Sequence, residues 1–479
     1  MITVLGIAAS LRNARFGRES EALCDDIRQL ENAASVTEYI ASKTRLSPDT
    51  VAEHVARDDM SFDAAYAILR RERLGQGLSN SEAALVAALW GAHDAGAEIA
   101  HCALAPFFPA NGVSRRLDEL RTALLAADAI VLSGPVYFGD RGSLAHEFIE
   151  FVRNDAECAA HLKGRVYGGV AVGAKRNGGQ ETTLVYQMLD FTAMGMLAVG
   201  NDFETTSQYG GTCVAGDVGT MSKDKYGIDT SIGTGRRVAR VAAMLAAPVT
   251  HTPVRPVKIA VWVLQDDSQN QFRAHLDRLR SEIMAAVPHV DLVVHEFSTE
   301  AVYRCIACDL CPTRSGPRDE YRCIVTADAD LFQRRHHEII DADAILVAAY
   351  SPIDRQNIRS VYQRFIERTR YLRRDDYVFS DLLTAPLVIE QMSSEQNLAL
   401  RMLTSMVRHH TIMHRPLIGM EVDGNVANWN HLVQQGISFA EYALRLVAAR
   451  PAVQTRAETY NPVGYVISSA ARAGTHAGA

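Results

Sequence analysis

Four of the eight cysteines lie close together in the second half of the chain, at Cys305, Cys308, Cys311 and Cys323. Their spacing is C-x2-C-x2-C-x11-C, so three thiolates can surround one centre and the fourth can complete a tetrahedral set. Such a set suits a [4Fe–4S] cluster or zinc. Two successive short gaps favour the cluster, because structural zinc sites usually use separated pairs. The sequence therefore predicts a metal centre, with zinc and unligated thiols as the alternatives.

A second group of residues suited to chemistry follows two buried strands of the first half. The apolar run 129–132 is typical of a strand covered on both faces of a parallel sheet, and Gly134-Pro135 ends it. Tyr137 and Phe138 then fall at the carboxyl edge, where open α/β sheets bind ligands and an aromatic pair could stack on a flat ring. Another buried strand leads to the polar glycine loop 173–181, whose backbone can approach a ligand closely.

The turn after the first strand has the composition of a phosphate site. Ser10 and Arg12 follow the strand 2–7, and hydroxyls, backbone N–H groups and an arginine can bind phosphate oxygens there. A polar helical insertion, from about 14 to 78, delays the expected helix. Ser79, Asn80 and Ser81 would then complete the turn at the helix N-terminus. The alternative is that residues 79–82 form only a capping box.

The strand and turn of residues 126–139 recur at residues 341–352, which predicts two copies of one α/β unit with a doubly wound parallel sheet. We expect a first domain over 1–247, a linker over 248–256, a second domain over 257–450 and a tail over 451–479. In the second copy, Asp266 and Asp267 stand where a phosphate would bind and would repel it. The turn at 351–354 lacks the aromatic pair, and the loop at 390–397 lacks glycine.

The composition argues against several classes of protein. The formal net charge is −7, which gives no reason to expect nucleic acid as a partner. No apolar run approaches the roughly 20 residues of a transmembrane helix. Met1 is followed at once by a strand rather than by a secretory signal. We therefore expect a cytoplasmic protein without a membrane partner.

Three loops then carry a family resemblance, and the first of them, the phosphate turn, is split into two segments. The segments "GIAASLRN", "SNS", "GPVYFGD" and "VGAKRNGGQETT" resemble, in the same order, loops of the flavodoxin-like NAD(P)H-dependent FMN reductases and the related iron-sulfur flavoproteins. The resemblance covers roughly residues 2–247 apart from the insertion. It implies a flavodoxin-like five-stranded parallel sheet that binds FMN, with NAD(P)H as a possible electron donor. The cysteine spacing resembles the compact motif of the iron-sulfur flavoproteins, although its last gap is longer.

The resemblance also implies which residues bind the cofactor. The phosphate would be held by Ser10, Arg12, Ser79, Asn80 and Ser81. The isoalloxazine ring would be enclosed by Pro135, Val136, Tyr137, Phe138 and Gly139 together with Gly173, Asn177, Gly178, Gly179 and Gln180. No side chain stands out as a general acid, so the catalytic residues stay unassigned.

We therefore expect an FMN-dependent oxidoreductase whose second, degenerate domain carries the cluster. A flavin accepts a two-electron hydride and releases single electrons, which is a physical reason to pair it with a cluster. The partner would be a small-molecule substrate or an electron-transfer protein, and the resemblance implies a homo-oligomer. Three alternatives stay open: a FMN, quinone or nitro reductase whose second domain is structural, a reductase dedicated to one biosynthetic pathway, and a non-catalytic flavin electron carrier.

Overall fold

The structure is a computed structural model that describes residues 1–44, 60–73, 77–202, 204–205, 207–217, 219–248, 255–308, 310–311, 323–373 and 377–453. Residues 454–479 of the expected tail, 249–254 of the expected linker, and 45–59 and 74–76 of the expected insertion lie outside this description. The chain divides into two compact units, with the boundary after Ala243.

The first unit alternates strands and helices. Its strands are β1 (Thr3–Ala8), β2 (Glu98–Ala103), β3 (Ala129–Tyr137), β4 (Asp140–Arg141), β5 (Val166–Gly173), β6 (Leu197–Ala198) and β7 (Gly211–Val214). Its helices are α1 (Arg18–Arg28), α2 (Ala33–Lys43), α3 (Phe62–Arg73), α4 (Asn80–Asp94), α5 (Leu117–Leu125), α6 (Ser143–Asn154), α7 (Ala156–Leu162), α8 (Gln180–Ala193) and α9 (Lys225–Ala246).

The sheet of the first unit is parallel, apart from the short hairpin strand β4. Its order is β2-β1-β3-β5, and β6 and β7 both pair with β5 to form the fifth position. Residues 129–132 are completely buried, as expected for a central strand with helices on both faces. Helix α4 is buried from Ser81 to Ala92 and packs across the central strands. Its N-terminus is therefore fixed at the carboxyl edge of β1.

The second unit has the same alternation. Its strands are β8 (Val257–Asp266), β9 (Val290–Glu296), β10 (Ala344–Ser351), β11 (Arg359–Ser360), β12 (Leu383–Gln391), β13 (Ile412–Met413), β14 (Leu417–Val422) and β15 (Asn425–Val426). Its helices are α10 (Gln271–Ala286), α11 (Leu331–Arg334), α12 (His336–Ile340), α13 (Tyr362–Arg368), α14 (Leu398–Val407) and α15 (Trp429–Val453).

The second sheet is also mostly parallel. Its order is β9-β8-β10-β12, and β13 and β14 pair with β12 at the fifth position. Only the short strands β11 and β15 run antiparallel to their neighbours. The order 2-1-3-4-5 is typical of flavodoxin-like sheets, which bind ligands where the carboxyl ends of the strands meet. Among the described residues, no helix is long and apolar enough to cross a membrane.

Candidate functional site

The two halves of the expected phosphate turn meet at the carboxyl end of β1. The backbone N–H of Ser79 donates to Oδ1 of Asn13 over 3.1 Å, and the Asn13 side-chain amide lies 3.5 Å from the carbonyl oxygen of Gly77. Asn13 also closes its own turn, because its N–H donates to the carbonyl of Ser10. A single buried asparagine therefore joins residues that are 66 positions apart in the chain.

The start of α4 is only half of a capping box. The Oγ of Ser79 accepts the backbone N–H of Glu82 at 3.1 Å, but the N–H of Ser79 is taken by Asn13 rather than by the Glu82 carboxylate. Within the described part of the chain, the N–H groups of Asn80 and Ser81 have no hydrogen-bond acceptor. Two unsatisfied donors at a helix N-terminus suit an anion such as phosphate.

A buried ion pair between Arg15 and Glu82 stabilises this turn. Nε of Arg15 lies 3.1 Å from both carboxylate oxygens of Glu82, whose side chain is completely buried. Nη2 of Arg15 donates to the carbonyl of Gly77 over 2.6 Å. Nε2 of His101 lies 3.2 Å from the same carboxylate. The pair ties the first half of the turn to the second, a role that the sequence did not indicate.

The aromatic turn is a tight hairpin between β3 and β4. Phe138 and Gly139 both have positive φ, 52° and 81°, as two-residue type I′ hairpin turns require. Phe138 is fully exposed and Tyr137 is 59% exposed. Two aromatic side chains in water at the carboxyl edge of a sheet are unusual for a packing role, and they suit stacking on a ligand.

The glycine loop is held by one buried side chain. Gln180 donates from Nε2 to the carbonyls of Lys175 and Cys213, and its Oε1 accepts the N–H of Gly178 at 2.8 Å. Gly173 makes room for this amide, since a Cβ there would lie 2.6 Å from Nε2 of Gln180. Residues 174–178 remain exposed. Gln180 therefore shapes the loop, while the exposed backbone before it can meet a ligand.

The phosphate turn, the aromatic hairpin and the glycine loop are three segments that meet at one edge of the first sheet. A Cβ at Gly179 would lie 2.6 Å from the Cα of Gly139, so the glycine loop directly contacts the aromatic hairpin. The Oγ of Ser133 donates to the carbonyl of Ser81 over 2.7 Å, which joins β3 to the start of α4. The N–H of Ala9 donates to the carbonyl of Ser133. Residues from three distant segments thus form one continuous surface.

A further loop, residues 215–217 and 219–224, also contacts this surface. The side-chain amide of Asn80 donates to the carbonyl of Asp217, and its oxygen accepts the N–H of Gly219. Asp224 pairs with Arg176 of the glycine loop, whose guanidinium lies 4.8 Å from the ring centroid of Tyr226. The side chain of Asn80 is therefore occupied within the protein, and its backbone N–H is the group left for a ligand.

At the matching edge of the second unit, a carboxylate of the chain stands where a phosphate would bind. Asp267 accepts the N–H groups of Gln271 and Phe272 at the start of α10, at 3.1 and 3.2 Å. Burial, followed by the hydrogen bond to Asp267 and the charge of Glu296, raises the pKa of Asp266 to about 7. Because these N–H groups already donate to Asp267 and the carboxylates add negative charge, the turn disfavours an added phosphate, as the sequence predicts.

The four clustered cysteines lie in the connection between β9 and α11. All four are partly exposed, and Ala307, between the first two, has a left-handed backbone with φ 50°. Their thiols have suitable chemistry for a cluster or zinc. However, no group of three or more Cys, His, Asp or Glu side chains is assembled for a metal in the described part of the chain.

The base of the cysteine connection is fixed by a buried ion pair. Arg368 and Asp330 are both almost completely inaccessible and lie 2.9 Å apart. Asp330 accepts the N–H of Tyr303, and Arg368 donates to the carbonyl of Tyr303 over 3.0 Å. The two ends of the connection are thus tied together two residues before Cys305.

The cysteines outside the connection differ in character. Burial raises the pKa of Cys102 and of Cys213 to about 12, so they are inert thiols.

Comparison with known proteins gives independent information. Residues 75–209 match the model of the family described as NADPH-dependent FMN reductase. An iron-sulfur flavoprotein of Methanocaldococcus jannaschii is 36% identical over 129 residues, which are 27% of this chain and 66% of that protein. An NAD(P)H dehydrogenase (quinone) of Solidesulfovibrio magneticus is 29% identical over 142 residues, 27% of this chain and 68% of that protein. The matched region thus spans about two thirds of these relatives.

Among solved structures, a flavodoxin, WrbA-like protein from Agrobacterium tumefaciens matches 50% of this chain and 98% of its own, with 16% identity and a TM-score of 0.27. The parallel sheet, its strand order and the three segments at its carboxyl edge define a flavodoxin-like α/β protein. Within that class, residues 75–209 match the NADPH-dependent FMN reductase family, which confirms the resemblance found in the sequence.

Proposed function

We propose that the protein is an FMN-dependent oxidoreductase that binds FMN at the carboxyl edge of the first sheet. The observation that carries this proposal is the contact between the glycine loop and the aromatic hairpin, beside a helix N-terminus with two unsatisfied N–H groups. FMN carries a flat, partly apolar ring at one end and a phosphate at the other, and the surface has one feature for each. NAD(P)H is the proposed electron donor.

The proposed roles follow from the geometry. The N–H groups of Asn80 and Ser81, with the Ser10 hydroxyl and the exposed Arg12, would bind the phosphate. Tyr137 and Phe138 would stack on the ring and shield it from water. The N–H groups of Asn177 and Gly179 would donate to the polar edge of the ring, since that of Gly178 already donates to Gln180. Bound FMN supplies hydride acceptance and single-electron release, while these residues bind and orient it.

We further propose that the second unit is a degenerate copy of the first, and that residues of about 14–78 are an insertion into the first copy. Both units use the strand order 2-1-3-4-5, which supports the first part of this proposal. In the second unit, Asp267 satisfies the helix donors that the phosphate would need. We expect one FMN per chain as a consequence.

The cysteine connection is proposed to hold a cysteine-ligated cluster, [4Fe–4S] in the first instance and zinc as the alternative. The donor chemistry and spacing of Cys305, Cys308, Cys311 and Cys323 support it, as does the buried Asp330–Arg368 pair that holds both ends of the connection. Because the described residues do not include three assembled ligands, loading would close the thiols around the metal. A cluster there would let the protein pass single electrons to a partner.

A second candidate is an NAD(P)H-dependent FMN, quinone or nitro reductase whose second unit is structural. The quinone dehydrogenase relative gives it a precedent. The dedicated biosynthetic reductase and the electron carrier differ from both in acceptor range. Steady-state NAD(P)H oxidation with quinone, nitroaromatic and protein acceptors separates them: an enzyme turns over at least one small acceptor.

The cluster proposal is tested by anaerobic reconstitution with iron and sulfide, followed by metal analysis and absorption spectroscopy. We expect about four irons per chain, the content of one [4Fe–4S] cluster, and their loss in Cys308→Ser. Cys24→Ala is the control, because that thiol is buried outside the connection. Bound flavin without iron, or equal iron in both variants, would contradict the cluster and leave the second candidate.

A further inference from the structure

A large cavity lies away from the three ligand segments, beside the edge strand β2. It has a volume of about 760 Å³, which is within the range of small-molecule sites. Helix α1 lines one side of it, helix α5 lines another, and β2 lines the floor from Ile99 to Ala103. Because α1 belongs to the proposed insertion, the cavity is a feature of this chain's added segment.

The walls of the cavity are mainly apolar and partly aromatic. Phe16 and Phe107 both line it and pack edge to face, with ring centroids 5.9 Å apart. The thiols of Cys24 and Cys102 also line it and are buried. Burial raises the pKa of Cys24 to about 11, so its thiol stays neutral near pH 7. Such walls suit a flat, apolar body such as a fused ring.

The charged groups that line the cavity differ in their exposure to water. Glu21, Asp25 and Glu119 line the cavity from exposed positions, where water screens them. Arg15 is different, since its side chain is only 16% exposed. Its Nε and Nη2 donate to Glu82 and Gly77, whereas Nη1 has no acceptor in the described part of the chain.

We propose that this cavity is a second small-molecule site, which binds a planar aromatic acid. The ring system would pack against the edge-to-face pair of Phe16 and Phe107, and the carboxylate or similar anion would accept a hydrogen bond from Nη1 of Arg15. The site is distinct from the proposed FMN surface. The two share a support, however, because Arg15 also holds Gly77 and, through Glu82, the start of α4.

The test uses 2-naphthoate as the probe and 2-naphthalenemethanol as its neutral counterpart, titrated into the FMN-loaded full chain by calorimetry. Loading with FMN keeps the probe from the flavin surface. We expect 2-naphthoate to bind once per chain and the alcohol to bind roughly 10-fold or more weakly, because it forms no charge-assisted hydrogen bond.

Variants locate the binding. Ala123→Trp and Thr122→Trp, both on α5 and both lining the cavity, should weaken 2-naphthoate binding by roughly 10-fold or more by filling the space. Leu125→Trp, on the same helix but outside the lining, is the matched control and should bind like the original protein. Thr122 is exposed, so its variant should fold even if the Ala123 variant does not. Unchanged binding in the Trp variants, equal binding of acid and alcohol, or no binding at all would overturn the proposal.

Discussion

Replacing Gly179 by alanine should selectively weaken FMN binding. Gly179 has φ +101°, and an added Cβ would lie 2.6 Å from the Cα of Gly139 and 3.3 Å from a methyl of Val136. The first of these contacts is with backbone, so the clash is relieved only if the glycine loop moves away from the aromatic hairpin. A left-handed non-glycine residue costs about 1–2 kcal/mol, and overpacking adds about 1–3 kcal/mol.

The free energy needed to move the glycine loop away from the hairpin lowers the affinity for FMN. If the binding free energy of FMN falls by about 1.4 to 2.8 kcal/mol, the dissociation constant rises roughly 10- to 100-fold. The assay is equilibrium titration of FMN into the flavin-free protein, with thermal unfolding measured in parallel. Gly96→Ala is the matched control, because Gly96 also has a positive φ, +86°, but no atom lies within 4 Å of its Cβ position.

The control should lose about 1 kcal/mol of stability from the backbone alone, with FMN affinity unchanged. If the Gly179 variant binds FMN as the original protein does, the glycine loop and the hairpin do not form one binding surface. The same conclusion would follow if the two alanine variants lowered FMN affinity equally, since the effect would then come from stability alone.

Three other substitutions have defined outcomes. Arg15→Gln leaves the buried carboxylate of Glu82 without its partner, so thermal or urea unfolding should show a loss of about 3 kcal/mol or more. Asp330→Asn weakens the buried pair with Arg368, and it should lower both the stability and the metal uptake of the reconstituted protein. Asp266→Asn should raise stability at pH 8. The folded pKa of Asp266 is above its unfolded value, so the wild-type protein loses stability as pH rises from about 4 to about 7, and the variant should not.

Each of these has a result that would contradict it. The control for Arg15 is Lys225→Gln, whose exposed pair with Asp229 should be worth about 1 kcal/mol or less; an equal loss in both would remove the support assigned to Arg15. Normal metal uptake in a folded Asp330 variant would show that the tie at the base of the connection is irrelevant to loading. A pH profile of unfolding that is the same with and without Asp266 would assign its slope to other groups.

The sequence was sufficient for the fold class and for the three segments, because these depend on local signals. The apolar run 129–132 and the glycine loop each predict their own conformation, and parallel strands bring both to one edge. The family match over 75–209 confirms the resemblance that rested on these loops.

The supporting contacts could not be predicted, because they join residues that are far apart in the chain. Asn13 and Ser79 are 66 positions apart in the chain, and Asn80 is bound by a loop more than 130 residues later. No spacing rule relates Arg15 to Glu82. The cysteines show the opposite case: their spacing is a strong local signal, but the same spacing is compatible with a cluster, zinc or free thiols, so it does not identify the ligand.

We propose above that the first unit binds FMN and receives electrons from NAD(P)H. The most direct test is to load the protein with FMN, remove free flavin, and follow the visible flavin absorption anaerobically as NADPH or NADH is added. We expect one FMN per chain and bleaching of its absorption by a stoichiometric amount of at least one of the two nucleotides. A protein that takes up no FMN, or whose bound FMN is not reduced by either nucleotide, would contradict it.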